Sequence, residues 1–396
     1  MRFLDLDRRT KFLLLVGFMV MCLASLSAIP VYKKMWGVDL HNVHVFQQCA
    51  AGRSPYLVDA KACGDVLARP FYYPPFLFAF FRWTRFLSLE AVLRIWSTFM
   101  VAAFAGIFYA WSRKIAREPA HGERHEAVIF CALLLLQYPF VFALERGNTD
   151  TVCVLFYTLA AYLFARDRPA LAGGAAGLAA GFKLSPIVAV VVMTGALLWA
   201  WRRVGRWTWL RFSGGALAAF ALTLLIFFRD AKLYLFDELP KYAGIVTREA
   251  EWGHSIPAFV GETYPIFGLA ICAGLAAVWV WAGARALARG DRAIVLAGSL
   301  AVSTYVQRTS LDYNLMSTFP LLLLLFLRAQ RTNRWALLVF GVAAIAGDRR
   351  LFTITNAVVL TPQLHLAIQV AFLVIAALVV ARPPDEQTAA VVSEGN

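Results

Sequence analysis

The chain has 396 residues, of which 60% are hydrophobic, 14% aromatic and only 16% charged, with a mean hydropathy of +0.65. So much apolar surface excludes an ordinary water-soluble domain of this length and implies a polytopic membrane protein. The 38 basic residues outnumber the 24 acidic ones, but they fall mainly in short connections between apolar runs, which makes them topology signals and not a nucleic-acid-binding surface.

A spanning helix needs about 20 mostly apolar residues, because lipid offers no partner for bare backbone N–H and C=O groups. About twelve such runs are present, at roughly residues 12 to 31, 89 to 111, 126 to 144, 149 to 166, 170 to 183, 186 to 201, 208 to 228, 263 to 284, 292 to 306, 310 to 327, 335 to 347 and 364 to 381. Arg8, Arg9 and Lys11 before the first run, with small residues from Ala24 to Ala28, resemble a secretory leader. The run continues to Ile29 and many spans follow, so it is read as a retained helix.

Six connections are basic: residues 8 to 11, 112 to 124, 166 to 168, 201 to 206, 285 to 292 and 328 to 334. The positive-inside rule places all six, and both termini, in the cytoplasm. For that parity to hold, YYPPFLFAFFRWTRF (72 to 86) must not span; it is short, carries Arg82 and Arg85, and is assigned as an interfacial helix begun by Pro74 and Pro75. The chain thus reads as one integral membrane domain over residues 1 to 382. A first outer loop at 32 to 88 holds interfacial helices, a long outer loop lies at 229 to 262, and a disordered cytoplasmic tail occupies 383 to 396. No internal repeat of transporter type is visible. Cys22, Cys131, Cys153 and Cys272 lie in apolar runs, whereas Cys49 and Cys63 share one polar loop and could pair if it faces an oxidising compartment.

With this topology the unusual polar residues converge on the outer face, and a set of ionisable groups brought from distant spans to one side implies a shared cavity. Asp39 stands near the start of a helix marked by Val43, Phe46 and Ala50 and stopped by Gly52 and Pro55. It is either a helix cap or a general base at the membrane surface. His41 and His44 follow it, as surface side chains or acceptor contacts; HxxH without another ligand does not make a zinc helix, so no metal is called for. Arg146 and Lys183, each at the outer end of a span, either snorkel to the interface or bind a phosphate. The neighbours Gly147, Asn148 and Asp150 in one case, Ser185 and Pro186 in the other, suit the second role. The turn from Gln307 to Asn314 packs Arg308, Ser310, Asp312 and Tyr313 into one place, as a plain turn or a contact to a sugar or diphosphate group. Tyr234, Phe236, Tyr242, Trp252 and Phe259 in the loop 229 to 262 serve an interfacial belt or stack on sugar faces.

The ordered series DLHxVxxF…GRSPY (39 to 56), FYYPPF (71 to 76), RGNTD (146 to 150), GxxxGFKLSP (177 to 186), WGHS (252 to 255) and TSLDYN (309 to 314) resembles the bacterial type C glycosyltransferases, and among them glycosyltransferase family 87. The order and spacing carry the resemblance more than any one motif. It implies an all-α membrane fold of about a dozen spans with interfacial helices in the first outer loop, and a polyprenyl-phosphate-linked sugar donor, such as polyprenol-phosphate mannose. The acceptor would be a lipid or glycan. By the same resemblance Asp39 is the catalytic base, Lys183 the lysine before a proline, and His254 and Ser255 part of the substrate site. The GQxN pattern of the family reads GNTD here, and a late SWxHH-like motif is replaced by Ser310, Leu311, Asp312, Tyr313 and Asn314. That departure bears on the sugar and the acceptor.

The implied chemistry requires no cofactor. Lys183, with Arg146 or Arg308, would stabilise the departing lipid phosphate, while His41, His44, Asn148, Asp150, His254, Ser255, Asp312 and Tyr313 line the substrate site. The absence of GxGxxG or another nucleotide fingerprint agrees with a lipid-linked donor. The enzyme would sit among the lipids of a bacterial inner membrane with its site facing the periplasm. The rival reading is a transporter or flippase of a lipid-linked saccharide; repeats and midplane charges would favour it.

Overall fold

The computed structural model describes residues 37–50, 53–58, 63, 73–115, 130–132, 134–241, 255–260, 263–307, 312–332, 341 and 362–382. The first expected span, all but Gly341 of that at 335 to 347, the tail 383 to 396, Trp252, His254 and Arg308 lie outside the described residues. Every regular element among the described residues is helical.

The elements that build the bundle and its site are, in chain order, α1, Val38–Ala50; α2, Pro75–Phe80, running into a 3-10 turn at Phe81–Phe86; α3, Leu89–Ile115; α4, Tyr138–Glu145; α5, Asp150–Ala165; α6, Pro169–Phe182; α7, Pro186–Trp199; α8, Arg206–Leu225; α9, Pro265–Ala288; α10, Arg292–Val306; α11, Phe319–Thr332; and α12, Pro362–Ala381; shorter turns of helix join some of them. Proline sets many of the starts, since its fixed φ suits the first turn and its missing N–H costs nothing there. Pro75, Pro169, Pro186 and Pro265 all occupy that place.

The same physics corrects two expected spans. The run 126 to 144 breaks at Leu136 and Gln137, and α4 restarts with Pro139 in its first turn. In the run 310 to 327 the described residues begin as a 3-10 turn, Asp312–Thr318, and α11 starts only at Phe319, one residue before Pro320. A proline inside either helix would have removed a backbone bond and struck the preceding turn.

Segments of α3, α8, α9 and α12 (Leu89–Trp111, Arg206–Leu225, Pro265–Ala288 and Leu364–Ala381) are long and apolar enough to cross a membrane, as expected of a multi-pass membrane protein. Helices α5, α6, α7 and α10 have 14 to 16 residues. At about 1.5 Å per residue they are shorter than a hydrocarbon core of about 30 Å.

Helices α6 and α8 approach backbone to backbone along glycines spaced by four. A Cβ added at Gly173 would lie 1.9 Å from the Phe212 carbonyl oxygen, and one at Gly177 would lie 2.2 Å from that of Ala216. Stripes of small residues are how helices associate where no hydrophobic effect drives them together. Lys183 directly follows the last residue of α6.

Contacts sort the helix ends into two groups. Asp39, Arg146, Asn148, Asp150, Lys183 and Asn314 are linked to one another at one end. At the other, Arg292 at the start of α10 pairs with Asp167 after α5, and Arg289 after α9 donates to the carbonyls of Val380 and Ala381. Those carbonyls close α12, where a cation also meets the negative end of the helix dipole.

Candidate active site

The site is built on the junction of α1 with the turn after α4. Gly147 adopts φ +61°, a left-handed conformation that a side chain resists. Its Cβ would also lie 2.6 Å from the Leu40 Cβ, so the turn closes tightly on the first turn of α1. Backbone bonds seal the junction: Gly37 N–H donates to the Glu145 carbonyl at 2.7 Å, and Asp39 N–H to that of Arg146 at 3.0 Å.

Helix α1 buries Leu40, Val43, His44, Phe46, Gln47 and Ala50, which matches the expected spacing of Val43, Phe46 and Ala50. Gln47 donates to the Phe78 carbonyl in α2, and Phe81 packs on Trp96 of α3 with ring centroids 5.0 Å apart. Cys49 and Cys63 form a disulfide, tying the C-terminal end of α1 to the loop beyond it. Tyr56 donates from its hydroxyl to the Tyr73 carbonyl at 2.6 Å, and burial raises its pKa.

The Asp39 carboxylate does not cap its own helix. It receives Arg146 in a bidentate pair, Nε to Oδ2 at 3.1 Å and Nη2 to Oδ1 at 2.9 Å. Asn148 Nδ2 donates to Oδ2 at 2.7 Å. Both charged side chains are 12% exposed, so the pair is largely withdrawn from water but still reachable. Planar fork-to-carboxylate pairing fixes orientation as well as distance. A carboxylate offers about four lone-pair directions; Oδ2 uses two and Oδ1 one.

Asn148 faces both ways. Its Oδ1 accepts from Asp150 N–H at 2.7 Å, which satisfies one of the unpaired donors at the start of α5. Thr151 returns a bond from its hydroxyl to the Asn148 carbonyl. Asp150, nearly buried, accepts on Oδ2 from Lys183 Nζ at 2.6 Å and from Asn314 Nδ2 at 2.6 Å. The three residues come from α5, the end of α6 and the 3-10 turn before α11.

Asp39 and Lys183 therefore belong to one network joined through Asn148 and Asp150. Next to it, Asp150, Ser185, Ser303, Thr304, Gln307 and Asn314 help line a small polar pocket, with room for water and not for a sugar ring.

Other expected site residues are placed differently. Arg146, expected near a phosphate, grips Asp39. His44, expected on the surface, is buried with 5% exposure, and burial lowers its pKa more than the Thr84 backbone contact raises it. His41 is half-buried one turn from the junction. Ser255 caps a short helix, accepting from Ala258 N–H at 3.2 Å and donating to the Gln307 carbonyl at 2.6 Å. Asp312 and Tyr313 lie in the 3-10 turn that carries Asn314. Asn314 itself is visible in the sequence only as one polar residue of that turn. Among the described residues no group of His, Cys, Asp and Glu could hold a metal ion.

A sequence model of glycosyltransferase family 87 matches residues 71–307, more than half of the chain. The match includes Arg146, Asn148, Asp150 and Lys183 and begins after Asp39. A polyprenol-phosphate-mannose-dependent alpha-(1-2)-phosphatidylinositol pentamannoside mannosyltransferase of Mycolicibacterium smegmatis is 32% identical over 131 residues, which cover 33% of this chain and 30% of that protein. The chain thus spans less than a third of that relative's length. No solved structure matches.

Proposed function

The chain belongs to glycosyltransferase family 87, and from that premise we propose that it transfers a sugar from a polyprenyl-phosphate-linked donor to a lipid or glycan acceptor. The sugar is mannose or another hexose or pentose. In this reading the protein is a type C glycosyltransferase of about twelve spans in a bacterial inner membrane. The end holding Asp39 faces the periplasm, with α1 and the segment 72 to 86 lying at the interface. The Mycolicibacterium smegmatis relative, whose name specifies a polyprenol-phosphate-mannose donor, supports the donor class.

One observation carries the chemical reading: a carboxylate held in a fixed orientation by Arg146 and Asn148 stands in the same network as a lysine ammonium group. Asp39 Oδ1, which accepts one bond where Oδ2 accepts two, is the oxygen suited to take a proton. The acceptor hydroxyl loses that proton to Oδ1 as its oxygen attacks the anomeric carbon. The bond from that carbon to the phosphate oxygen breaks, and the lipid phosphate leaves as an anion. A single displacement inverts the anomeric centre. Lys183 has three N–H donors, one of which reaches Asp150, and it stabilises the leaving phosphate together with Arg308. Arg146 acts on Asp39 instead of on phosphate.

The test is Asp39→Asn in membranes supplied with polyprenyl-phosphate mannose. The amide cannot accept the proton, so transfer should vanish while protein level is kept; retained transfer would remove Asp39 as base. A cysteine introduced near Asn148 should react with an impermeant thiol reagent in intact spheroplasts, and protection there would reverse the orientation.

A further inference from the structure

The opposite end of the bundle carries charge that this chemistry does not use. A one-turn helix, Trp201–Val204, and the start of α8 present Arg202, Arg203, Arg206 and Arg211, all exposed. Gly205, with φ +86°, makes the turn between them. The one-turn helix packs against α9, which brings the exposed Arg285 to the same end. Among the described residues none of these five arginines pairs with an acid, and no Asp or Glu occurs from Arg168 to Arg229.

A basic bias in cytoplasmic loops accounts for arginines as such, but not for what stands beside them. Trp199, Trp201 and Trp207 are 66%, 47% and 61% exposed. The Arg202 guanidinium lies 5.7 Å from the Trp201 ring, that of Arg206 lies 5.3 Å from Trp207, and that of Arg285 lies 5.7 Å from Trp281. Indole rings favour the headgroup level of a bilayer, with their apolar body in the acyl boundary. A guanidinium held against such a ring keeps its N–H edge for a phosphate oxygen. Leu198 and Leu210, exposed on either side, continue the surface as apolar helix wall. The ligand that meets both parts is an amphiphile with an anionic head.

We propose that this face, formed by Trp201–Val204, the first turns of α8 and the end of α9, is a binding surface for anionic phospholipid headgroups of the cytoplasmic leaflet. Only the choice of leaflet rests on the orientation given under the proposed function. The arginines supply the field and the phosphate contacts, and the tryptophans set the depth.

The full-length protein in detergent is loaded with equal amounts of phosphatidylglycerol and phosphatidylcholine, and the retained lipid is counted by native mass spectrometry. Wild type should retain phosphatidylglycerol over phosphatidylcholine by about fivefold or more. The preference should collapse in about 0.5 M salt and in Arg202→Gln/Arg203→Gln/Arg206→Gln. Equal retention of the two lipids by wild type would overturn the proposal, as would an unchanged preference in a triple variant that elutes as a single folded species. Should that variant not fold, the salt series on wild type decides alone: a preference that survives salt overturns it. Sugar transfer is not read in any arm, so failure of the enzymatic reading leaves the lipid result standing. Arg203→Cys should react with an impermeant thiol reagent only after spheroplasts are opened; reaction in intact ones would overturn the leaflet.

Discussion

At the end of the bundle that holds Asp39, four charged side chains stand as two ion pairs, Asp39 with Arg146 and Lys183 with Asp150, bridged by Asn148, with Asn314 donating to Asp150 as well. At the other end Arg202, Arg203, Arg206, Arg211 and Arg285 lie exposed without an acid partner among the described residues. The first four cancel one another's charge and spend their hydrogen bonds on orientation. The second five keep their charge, although Arg292 at the same end pairs with Asp167. Both groups include arginine next to apolar surface; a carboxylate from a distant helix reaches Arg146 and, among the described residues, none reaches those five.

The comparison breaks if arginines at the two ends respond alike. Arg146→Met strands a withdrawn carboxylate, which costs about 3 kcal/mol or more. Transfer should fall by at least about 100-fold and the unfolding temperature in detergent should drop, whereas Arg202→Met should leave both near wild type. Equal effects from the two would dissolve the distinction. Next in size is the packing that holds Lys183 in place. Gly177→Val forces a side chain where even a Cβ lies 2.2 Å from the Ala216 carbonyl oxygen, and should cost about 3 kcal/mol, seen as a lower unfolding temperature; Gly214→Val, at a glycine with open space around it, should cost far less.

Asn148→Ala sharpens the contrast within the site. It removes one bond to a charged group and one helix-start bond, and should lower transfer by roughly 10- to 100-fold, or about 2 kcal/mol, with the donor concentration for half-maximal rate little changed. A rise in that concentration with the maximal rate intact would make Asn148 a substrate contact instead.

The smallest effect concerns pH. Burial lowers the His44 pKa below 6.5, so on acidification the unfolded chain takes up a proton that the folded one resists. The unfolded state then binds more protons, and stability declines as pH falls through about 6.5. His44→Gln should flatten the pH dependence of the unfolding temperature between about pH 7 and 5; an unchanged slope would place the sensitivity elsewhere.

Much of this arrangement is legible along the chain because its causes are local. The stop before Pro186 and the apolar spacing of Val43, Phe46 and Ala50 are properties of neighbouring residues, and the helices follow them closely. Where apolar runs cross Pro139 and Pro320, run length misleads and proline wins. The site is legible as a set of residues but not as a set of partners. Arg146 and Lys183 look equivalent in sequence, each a cation at a helix end beside polar neighbours. Only the approach of α1 gives Arg146 to Asp39, 107 positions away, and only the turn before α11 brings Asn314 to Asp150, 164 positions away. His44 shows the converse: a polar letter at a position whose helical phase, four after Leu40 and three before Gln47, turns it inward.

The span of chain between Asp39 and its holders has a consequence for how the protein is made. A polypeptide synthesised from its N-terminus delivers α1 first, and for the next hundred or so residues the ribosome has not yet supplied Arg146 or Asn148. Through that interval the Asp39 carboxylate has neither its counter-ion nor its fixed direction. The turn at Gly147 closes onto Leu40 only after α4 has been laid down, and Lys183 and Asn314 join the network later still. A nascent chain arrested before Glu145 would hold Asp39 and lack the residues that orient it.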